Sequence, residues 1–281
     1  MQFTAVSWNL FHGRDFPPDP ALFTWCSRLL RIEERGTTHV QVNRDLEEEF
    51  ARVLAAARWD VALLQECPPR FAASLARACE AESHRVLTSR NSLGALRAAV
   101  ARLNPDLIAS GEGGSNLTLV RASGALGEIV ERRELEIHRG RPERRAMAFT
   151  RTASGVCVAN LHATNDRPAL AAEDVLKAAR AGAGWAGGAP LVFGGDLNLR
   201  PASDPSVFDA LRDGFGLVGT TGPQAIDHLL SRGATVVEPA APWPAERREL
   251  PHDGLALRLS DHAPVEAAFE CGQPVPQKGQ G

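Results

Sequence analysis

Six places along the chain put an amide, a carboxylate or an imidazole at the end of an apolar run. They are Asn9, Glu66, the pair Asn160 and His162, the pair Asp196 and Asn198, Asp227 in AIDHLL, and Asp261 with His262 just ahead of PVEAAFE. Loops leave a sheet at strand ends, and ligands usually bind there. Carboxylate and amide oxygens suit a hard divalent cation, and Mg2+ takes one or two protein carboxylates while leaving its other positions to water and phosphate oxygens. Glu66 with Asn9 meets that need. The remaining acids and histidines offer what phosphoryl transfer asks of a protein, namely proton transfer and neutralisation of charge around a five-coordinate phosphorus. No serine or cysteine nucleophile is required. Taken singly, each position has an ordinary structural explanation: an Asn after a strand forms turns, Glu-Cys-Pro-Pro is a loop exit, and Ser-Asp-His caps a helix or sits at a solvated corner. Their joint occurrence is what points to chemistry.

These side chains need elements to hold them. Residues 3 to 8 read as a strand, 43 to 58 as a helix with Leu46, Phe50, Val53, Leu54 and Ala57 on one face, and VALLQ (61 to 65) as a second strand. Pro68 and Pro69 open a helix through about Glu80, and another is predicted near 92 to 103. From 116 to 161 the pattern predicts strands in a run of antiparallel pairing, the last two joined at TASG. A helix over 168 to 186, a buried strand over 189 to 198, a helix near 205 to 214 and the strands AIDHLL and PVEAAFE complete the order. The segment 239 to 254, rich in proline, reads as a surface loop in which Trp243 is exposed and faces substrate. Alternation of helices and strands in both halves, with no linker between them, predicts one α/β domain over 1 to 270 in which two sheets pack together under outer helices. The breaker-rich stretch from 271 to 281 reads as a disordered tail.

Composition narrows the classes. The chain has 281 residues, 44% hydrophobic and 23% charged, which excludes disorder, collagen and coiled coil. No apolar run approaches the ~20 residues that span a bilayer and the start lacks a secretory pattern, so the expectation is a cytoplasmic monomer without a stable protein partner. Five cysteines without CxxC or zinc-like spacing read as reduced, buried thiols. A net charge of −3 means that any recognition of nucleic acid or phosphate is local.

Six motifs carry a resemblance to a known family: SWNLFHG (7 to 13), LLQEC (63 to 67), NLHATN (160 to 165), GGDLNLRP (194 to 201), IDHLL (226 to 230) and LSDHAPV (259 to 265). In this order, and over nearly the whole chain, they resemble the endonuclease/exonuclease/phosphatase superfamily, whose members include DNase I-like nucleases, sphingomyelinases and inositol polyphosphate phosphatases. The resemblance implies a four-layer α/β sandwich, two packed mixed β-sheets flanked by helices, and a phosphoesterase dependent on Mg2+ or Mn2+. It assigns the metal to Asn9 and Glu66 with Asp261 nearby, and the positioning or deprotonation of the attacking water to Asp196, with Asn198 orienting it. It assigns the scissile phosphate to His262, the support of that His to Asp227, and a phosphate-binding or leaving-group role to His162.

Some positions depart from the family pattern or extend it. His12 stands just after the Asn motif and reads as a group supporting substrate or the metal's surroundings, because imidazole suits softer metals than Mg2+. Asn116 occupies a strand start where relatives place a substrate-facing Asn. Arg145 resembles an Arg that touches substrate phosphate, and it ends a basic stretch with Arg139, Arg141 and Arg144 that reads equally as a solvated loop. His228 points away from Asp227 on a strand and reads as structural. The chain has no tyrosine, which counts against a close abasic-site endonuclease. The two-histidine pattern with Arg145 resembles DNase I-like members, which implies DNA or RNA as substrate, with a small phosphate ester or phospholipid headgroup as the alternative and an inactive phosphate-binding module as the third possibility.

Overall fold

Strand β1 (Gln2–Asn9) alternates between two interiors. Phe3 and Ala5 enter an apolar layer shared by two sheets, whereas Val6 and Trp8 enter a second core beneath helices. The computed structural model describes residues 1–89, 94–139 and 143–272, without the side chains of Ala109 and Glu112.

In chain order, β1 is followed by α1 (Trp25–Leu30), β2 (Glu34–Arg35), β3 (Val40–Gln41), α2 (Glu47–Ala56), β4 (Val61–Cys67), α3 (Ala72–Ala78), β5 (Ala81–Leu87), α4 (Gly94–Leu103), α5 (Pro105–Ile108) and β6 (Ser115–Arg121). Next come β7 (Ile129–His138), β8 (Arg145–Thr152), β9 (Cys157–His162), α6 (Pro168–Ala186), β10 (Leu191–Asp196) and α7 (Pro205–Phe215). The chain closes with β11 (Asp227–Arg232), β12 (Thr235–Pro242), α8 (Ala245–Arg248), β13 (Glu249–His252), β14 (Leu255–Arg258) and β15 (Val265–Glu270).

One sheet has six strands in the order β12-β15-β1-β4-β6-β5, the other five in the order β11-β10-β9-β8-β7. Both are mixed, with β1 parallel to β4 and β9 parallel to β10. Helices α2 and α3 cover the first sheet, where Phe50, Val53, Leu54 and Leu75 meet Val6, Trp8 and Leu64. Helix α6 and helix α7 cover the second through Val175, Ala178 and Leu211 against Phe149, Leu161 and Phe193. This is the expected four-layer sandwich. Helix α2 forms where it does because Phe50, Val53 and Leu54 share one face and Glu47, Glu48 and Glu49 lie in the first turn against the positive end of the helix dipole.

Several expectations need correction. The strands of 116 to 161 are not one antiparallel run: β6 pairs with β4 and β5, and β7 begins the other sheet. A period-two pattern fixes faces but not partners. The segment 239 to 254 is not a loop, because it contains the end of β12, all of α8 and β13, and the bend into β14. Prolines sit there because β12 is an edge strand with two register shifts, where missing N–H groups cost little. Trp243 is buried, its Nε1 donating to Glu266 Oε2 at 3.0 Å, and does not face substrate. Edge strand β5, with mixed polar residues, had no sequence signature strong enough to predict it. Four of the five cysteines are buried and all are free thiols, but Cys26 is exposed on the short helix α1. Residues 273–281 and Arg141 lie outside the described residues.

Candidate active site

The face that carries Phe3 and Ala5 inside the sandwich turns polar at one end. Along β1 it continues to Ser7 and Asn9, along β9 from Val158 to Asn160 and His162, and along β10 from Val192 to Asp196. Register does the rest. Asp196 lies opposite His162 on the parallel neighbour β9 and opposite Asp227 on the antiparallel neighbour β11, while Asn9 lies opposite Gln65. Three strands of one sheet thus deliver an imidazole and two carboxylates to one level.

Close approach needs the two glycines of GGD. A Cβ on Gly194 would lie 2.3 Å from His228 O, and one on Gly195, whose φ is +129°, would lie 1.9 Å from Leu161 O. No side chain fits there. Beneath the site, Gln65 Nε2 donates to Asn160 Oδ1 at 2.8 Å across the two sheets, and Asn160 Nδ2 donates to Leu64 O and Leu117 O. Gln65 looks like an ordinary strand residue in the sequence, and only its fully buried amide shows its role.

Asn9 ties the sheets together at the site itself. Its Nδ2 donates to Asp196 Oδ2 at 2.9 Å, and its Oδ1 accepts from Phe11 N at 2.9 Å, which shapes the following turn. Phe11, His12 and Gly13 all have left-handed backbones, with φ of 49°, 54° and 73°. Gly13 is obligatory, since a Cβ there would lie 2.7 Å from the Phe71 ring. The turn swings buried His12 back so that its Nε2 stands 3.2 Å from Glu66 Oε2. Glu66 itself sits where the β4–β6 register shifts, with φ of 47°, so its carboxylate leaves the strand's alternation and reaches the opening.

On the other side of Asp196, His262 Nδ1 lies 2.7 Å from Asp227 Oδ2, and its Nε2 is 3.9 Å from both Asp196 Oδ2 and Asp261 Oδ1. Ser260 makes this possible: its Oγ donates to Asn9 O at 2.6 Å and accepts from His262 N at 3.0 Å. The serine of the Ser-Asp-His motif is therefore a latch between the last loop and β1, a role the sequence reading missed. His162 Nδ1 accepts from Arg145 Nη1 at 3.0 Å, which leaves its proton on Nε2, 3.4 Å from Asp196 Oδ2 and 3.9 Å from Glu66 Oε1.

Electrostatics separate these groups. Burial lowers the His262 pKa, but Asp227, Asp196 and Asp261 outweigh it and lift the imidazole to about 10. Burial and the Arg145 charge keep His162 well below the usual range, so it is neutral. Burial, with Asp227 adding to it, pushes Asp196 up to about 7. Asp261 is likewise raised by burial and by Glu66. Of two histidines a few ångströms from one carboxylate, His262 is therefore a cation and His162 neutral.

Not every expected residue reaches the opening. Asn116 is fully buried between the sheets, donating from Nδ2 to Ala146 O at 2.8 Å and lying 3.4 Å from Asn160 O, with Oδ1 left without a partner. His12 is buried and meets Glu66. Arg145 is buried against His162, with Glu143 3.7 Å away. Asn198 donates its side chain to Ala163 O at 3.1 Å and its backbone N–H to Asp196 Oδ1 at 3.2 Å. His228 packs against Phe208 and donates from Nε2 to Leu199 O at 3.2 Å, away from the site.

A family model described as the endonuclease/exonuclease/phosphatase family matches residues 6–262. The chain belongs to that family. Endonuclease/exonuclease/phosphatase proteins are hydrolases of phosphoester bonds and are generally dependent on divalent metals. The structure is similar to a family protein of Bacteroides thetaiotaomicron at TM-score 0.64 and 14% identity, covering 96% of this chain and 95% of that one. It is similar to a mannosyl-6-phosphatase of the same organism at TM-score 0.63 and 15% identity, covering 95% and 99%. A truncated TDP2 of Caenorhabditis elegans matches at TM-score 0.55 and 15% identity, covering 96% and 98%. At these identities the likeness is one of fold. No curated protein sequence matches the chain.

The donor set fits the divalent ion that the endonuclease/exonuclease/phosphatase fold implies. The charge of Glu66 adds to burial in raising the pKa of both Asp261 and Asp196, and hard oxygen donors gathered this closely suit a hard cation. Asp196, Asp227 and His262 also lie within 4.8 Å of one another. That trio is better described as an imidazolium held between two carboxylates, because a protonated Nδ1 at 2.7 Å from Asp227 has no lone pair for a metal.

Proposed function

We propose that the protein is a divalent-metal-dependent phosphoester hydrolase that uses water as nucleophile. The convergence on Asp196 carries this reading: Asn9 Nδ2 at 2.9 Å, Asn198 N at 3.2 Å, His162 Nε2 at 3.4 Å and His262 Nε2 at 3.9 Å all surround one carboxylate. Asn9 and Asn198 fix its orientation, and a pKa near 7 suits a group that takes a proton at neutral pH. Glu66 and Asp261 hold the cation, with the Asn9 amide oxygen beside them and His12 steadying Glu66. The bound cation supplies neutralisation of charge on the phosphoryl oxygens.

Asp196 receives the proton of the attacking water while a P–O bond forms, and the opposite P–O bond breaks to release an oxygen that solvent protonates. His262, kept protonated and aimed by Asp227, donates from Nε2 to a phosphoryl oxygen as negative charge grows there. His162 serves as a neutral donor from Nε2, because Arg145 occupies Nδ1. That assignment favours phosphate binding over the alternative of a leaving-group acid.

For substrate, two readings come from different observations. The paired histidines with Arg145 carry the expectation of a nucleic acid. The flanking charges favour a compact phosphate ester: among the described residues Arg139 and Arg144 share Glu136 and Arg145 lies near Glu143, which leaves a small local excess of positive charge rather than a long basic track in a chain of net charge −3. We take the compact ester as the better reading.

Hydrolysis of bis-p-nitrophenyl phosphate, an inositol phosphate, plasmid DNA and single-stranded RNA by wild type, Asp196→Asn and Glu66→Ala tests this with Mg2+, Mn2+ or EDTA. Metal-dependent turnover that falls about 10³-fold or more in Asp196→Asn supports the hydrolase. A folded wild type that binds phosphate tightly and turns over nothing in the panel overturns it in favour of a binding module. A rate on DNA that exceeds the small esters and falls steeply with salt restores the nuclease.

A further inference from the structure

Among the described residues, eight of the eleven large apolar side chains left exposed fall in two segments, 16–32 and 96–107. The four most exposed are Trp25 at 68%, Leu103 at 64%, and Leu30 and Leu96 at 62% each. Scattered surface leucines are ordinary, but concentrating the most exposed ones in one region marks an interaction face.

The two segments form one surface. Arg28 Nη2 donates to Asp106 O at 3.3 Å, and Asn104 Nδ2 donates back to Arg28 O at 2.9 Å. Asn43 Nδ2 donates to the same Arg28 carbonyl at 2.7 Å, so the end of α1 is tied to the corner between α4 and α5. Trp25 and Leu29 are four apart on α1, and Leu96 and Leu103 seven apart on α4, so each pair shares a helix face.

Charge completes the pattern. Helices α1 and α4 contain Arg28, Arg97 and Arg102 but no Asp or Glu, and Arg31 follows α1 directly, in a chain whose net charge is −3. A tryptophan and leucines interleaved with arginines, and no acids, is the composition of a surface that lies in a membrane interface. There the apolar groups enter the acyl boundary and the guanidinium groups meet anionic headgroups. The one exposed carboxylate in segments 16–32 and 96–107 is Asp19, so a second copy of this face would set arginines mainly against arginines, and exposed leucines have nothing to offer a phosphate backbone.

The face adjoins the candidate active site. Asp106, on α5, lies 3.7 Å from Arg14 Nη1, and Arg14 stacks over Phe11 at 3.8 Å, one residue from the His12 that meets Glu66. We infer that the α1 and α4 face seats the enzyme on an anionic lipid bilayer, and that the ester it hydrolyses is carried at that surface. The substrate half of this inference rests on the phosphoester-hydrolase reading above; the binding half stands without it.

Co-sedimentation of the full chain with vesicles of phosphatidylcholine alone, or with 30% phosphatidylserine, tests the binding half. The expected result is retention on the anionic vesicles by wild type and by Asp196→Asn, with affinity at least tenfold lower for Trp25→Ser/Leu30→Ser and for Leu96→Ser/Leu103→Ser. Both double variants should keep wild-type turnover of bis-p-nitrophenyl phosphate, which shows that they fold. Failure of wild type to bind, retention unchanged in both double variants, or a dimer in light scattering that the same substitutions dissolve would each overturn the inference. A wild type that binds the vesicles but turns over none of the esters would overturn the hydrolase reading alone. Phospholipid hydrolysis on vesicles that falls in the double variants, while soluble turnover holds, supports the substrate half; equal rates on both forms overturn it.

Discussion

Arg145 Nη1 lies 3.0 Å from His162 Nδ1, both side chains buried. An arginine has no acceptor and stays charged, so this contact exists only with a lone pair on Nδ1 and the proton on Nε2. One residue on β8 thereby sets the tautomer and the charge of a histidine on β9, and it does so next to Asp196.

The first prediction concerns that pair. In the wild type, 15N imidazole shifts should show His162 as a neutral Nε2–H tautomer down to mildly acidic pH, because burial and the Arg145 charge both oppose protonation. Arg145→Met should free Nδ1, raise the His162 pKa and lower kcat about 10²-fold, the scale of losing one placed donor. A His162 signal that titrates with ordinary behaviour in the wild type would contradict the assignment.

A second prediction addresses the cation. Mn2+ or Mg2+ should raise the melting temperature of wild type, and EDTA should reverse it, since an ion bound only by the folded state stabilises it by about 2.7 kcal/mol at a hundredfold excess over Kd. Glu66→Ala should lose most of that rise. His12→Ala should weaken it by a smaller factor, because His12 touches Glu66 Oε2 at 3.2 Å and is proposed only to steady it. Calorimetric titration with Mn2+ gives the same comparison without heat; equal affinity in Glu66→Ala and wild type would move the metal elsewhere.

Much of this site is legible in the sequence because strand alternation is a local property. Asn9, His162, Asp196 and Asp227 stand on the inner face by counting in twos from residues that are plainly core. What counting does not provide is register. That Asp196 opposes both His162 and Asp227 follows from hydrogen bonding among β9, β10 and β11, and no single strand encodes it. Gln65 and Ser260 escape notice for a related reason: their types are common in strands and turns, and their importance comes only from partners 95 and 251 residues away. The β12 to β14 region misleads because proline weakens a strand pattern even where an edge tolerates it, and Trp243 is drawn inward by Glu266, which lies 23 residues on. Asn116 stands at the expected start of β6, with its side chain between the sheets and its Nδ2 on Ala146 O.

A third prediction uses Asp15, outside the candidate active site. Burial, opposed by the Val42 backbone N–H and reinforced by Asp106, pushes its carboxyl up to about 8 from 3.8. Between those values the folded state holds a proton that the unfolded chain has released. The stability it contributes is complete below pH 3.8 and is lost as pH rises through 8. The slope reaches about 1.4 kcal/mol per pH unit at most. Asp15→Asn keeps a carbonyl oxygen for the Val42 N–H, now at 2.8 Å, but cannot ionise. Urea unfolding across pH 4 to 8 should show the variant gaining on wild type as pH rises; parallel curves would mean that Asp15 is not held neutral.

The last prediction tests the glycine pair that lets β10 carry Asp196. A methyl group at Gly195 would meet Leu161 O at 1.9 Å, and the residue's φ of +129° is outside what an alanine accepts. The clash is with backbone on the parallel neighbour, so no rotamer relieves it. Strands β9 and β10 must separate, and with them the alignment of His162 and Asp196. Gly195→Ala should therefore cost about 3 kcal/mol or more in chemical denaturation, in the range of strained-backbone substitutions. Gly155→Ala provides the control, because it also has positive φ, +86°, but nothing within 4 Å of an added Cβ. Its loss should be smaller and confined to stability, whereas Gly195→Ala should also lose turnover under conditions where it remains folded. Equal losses for the two would mean that backbone conformation alone, and not the approach of β9, makes Gly195 necessary.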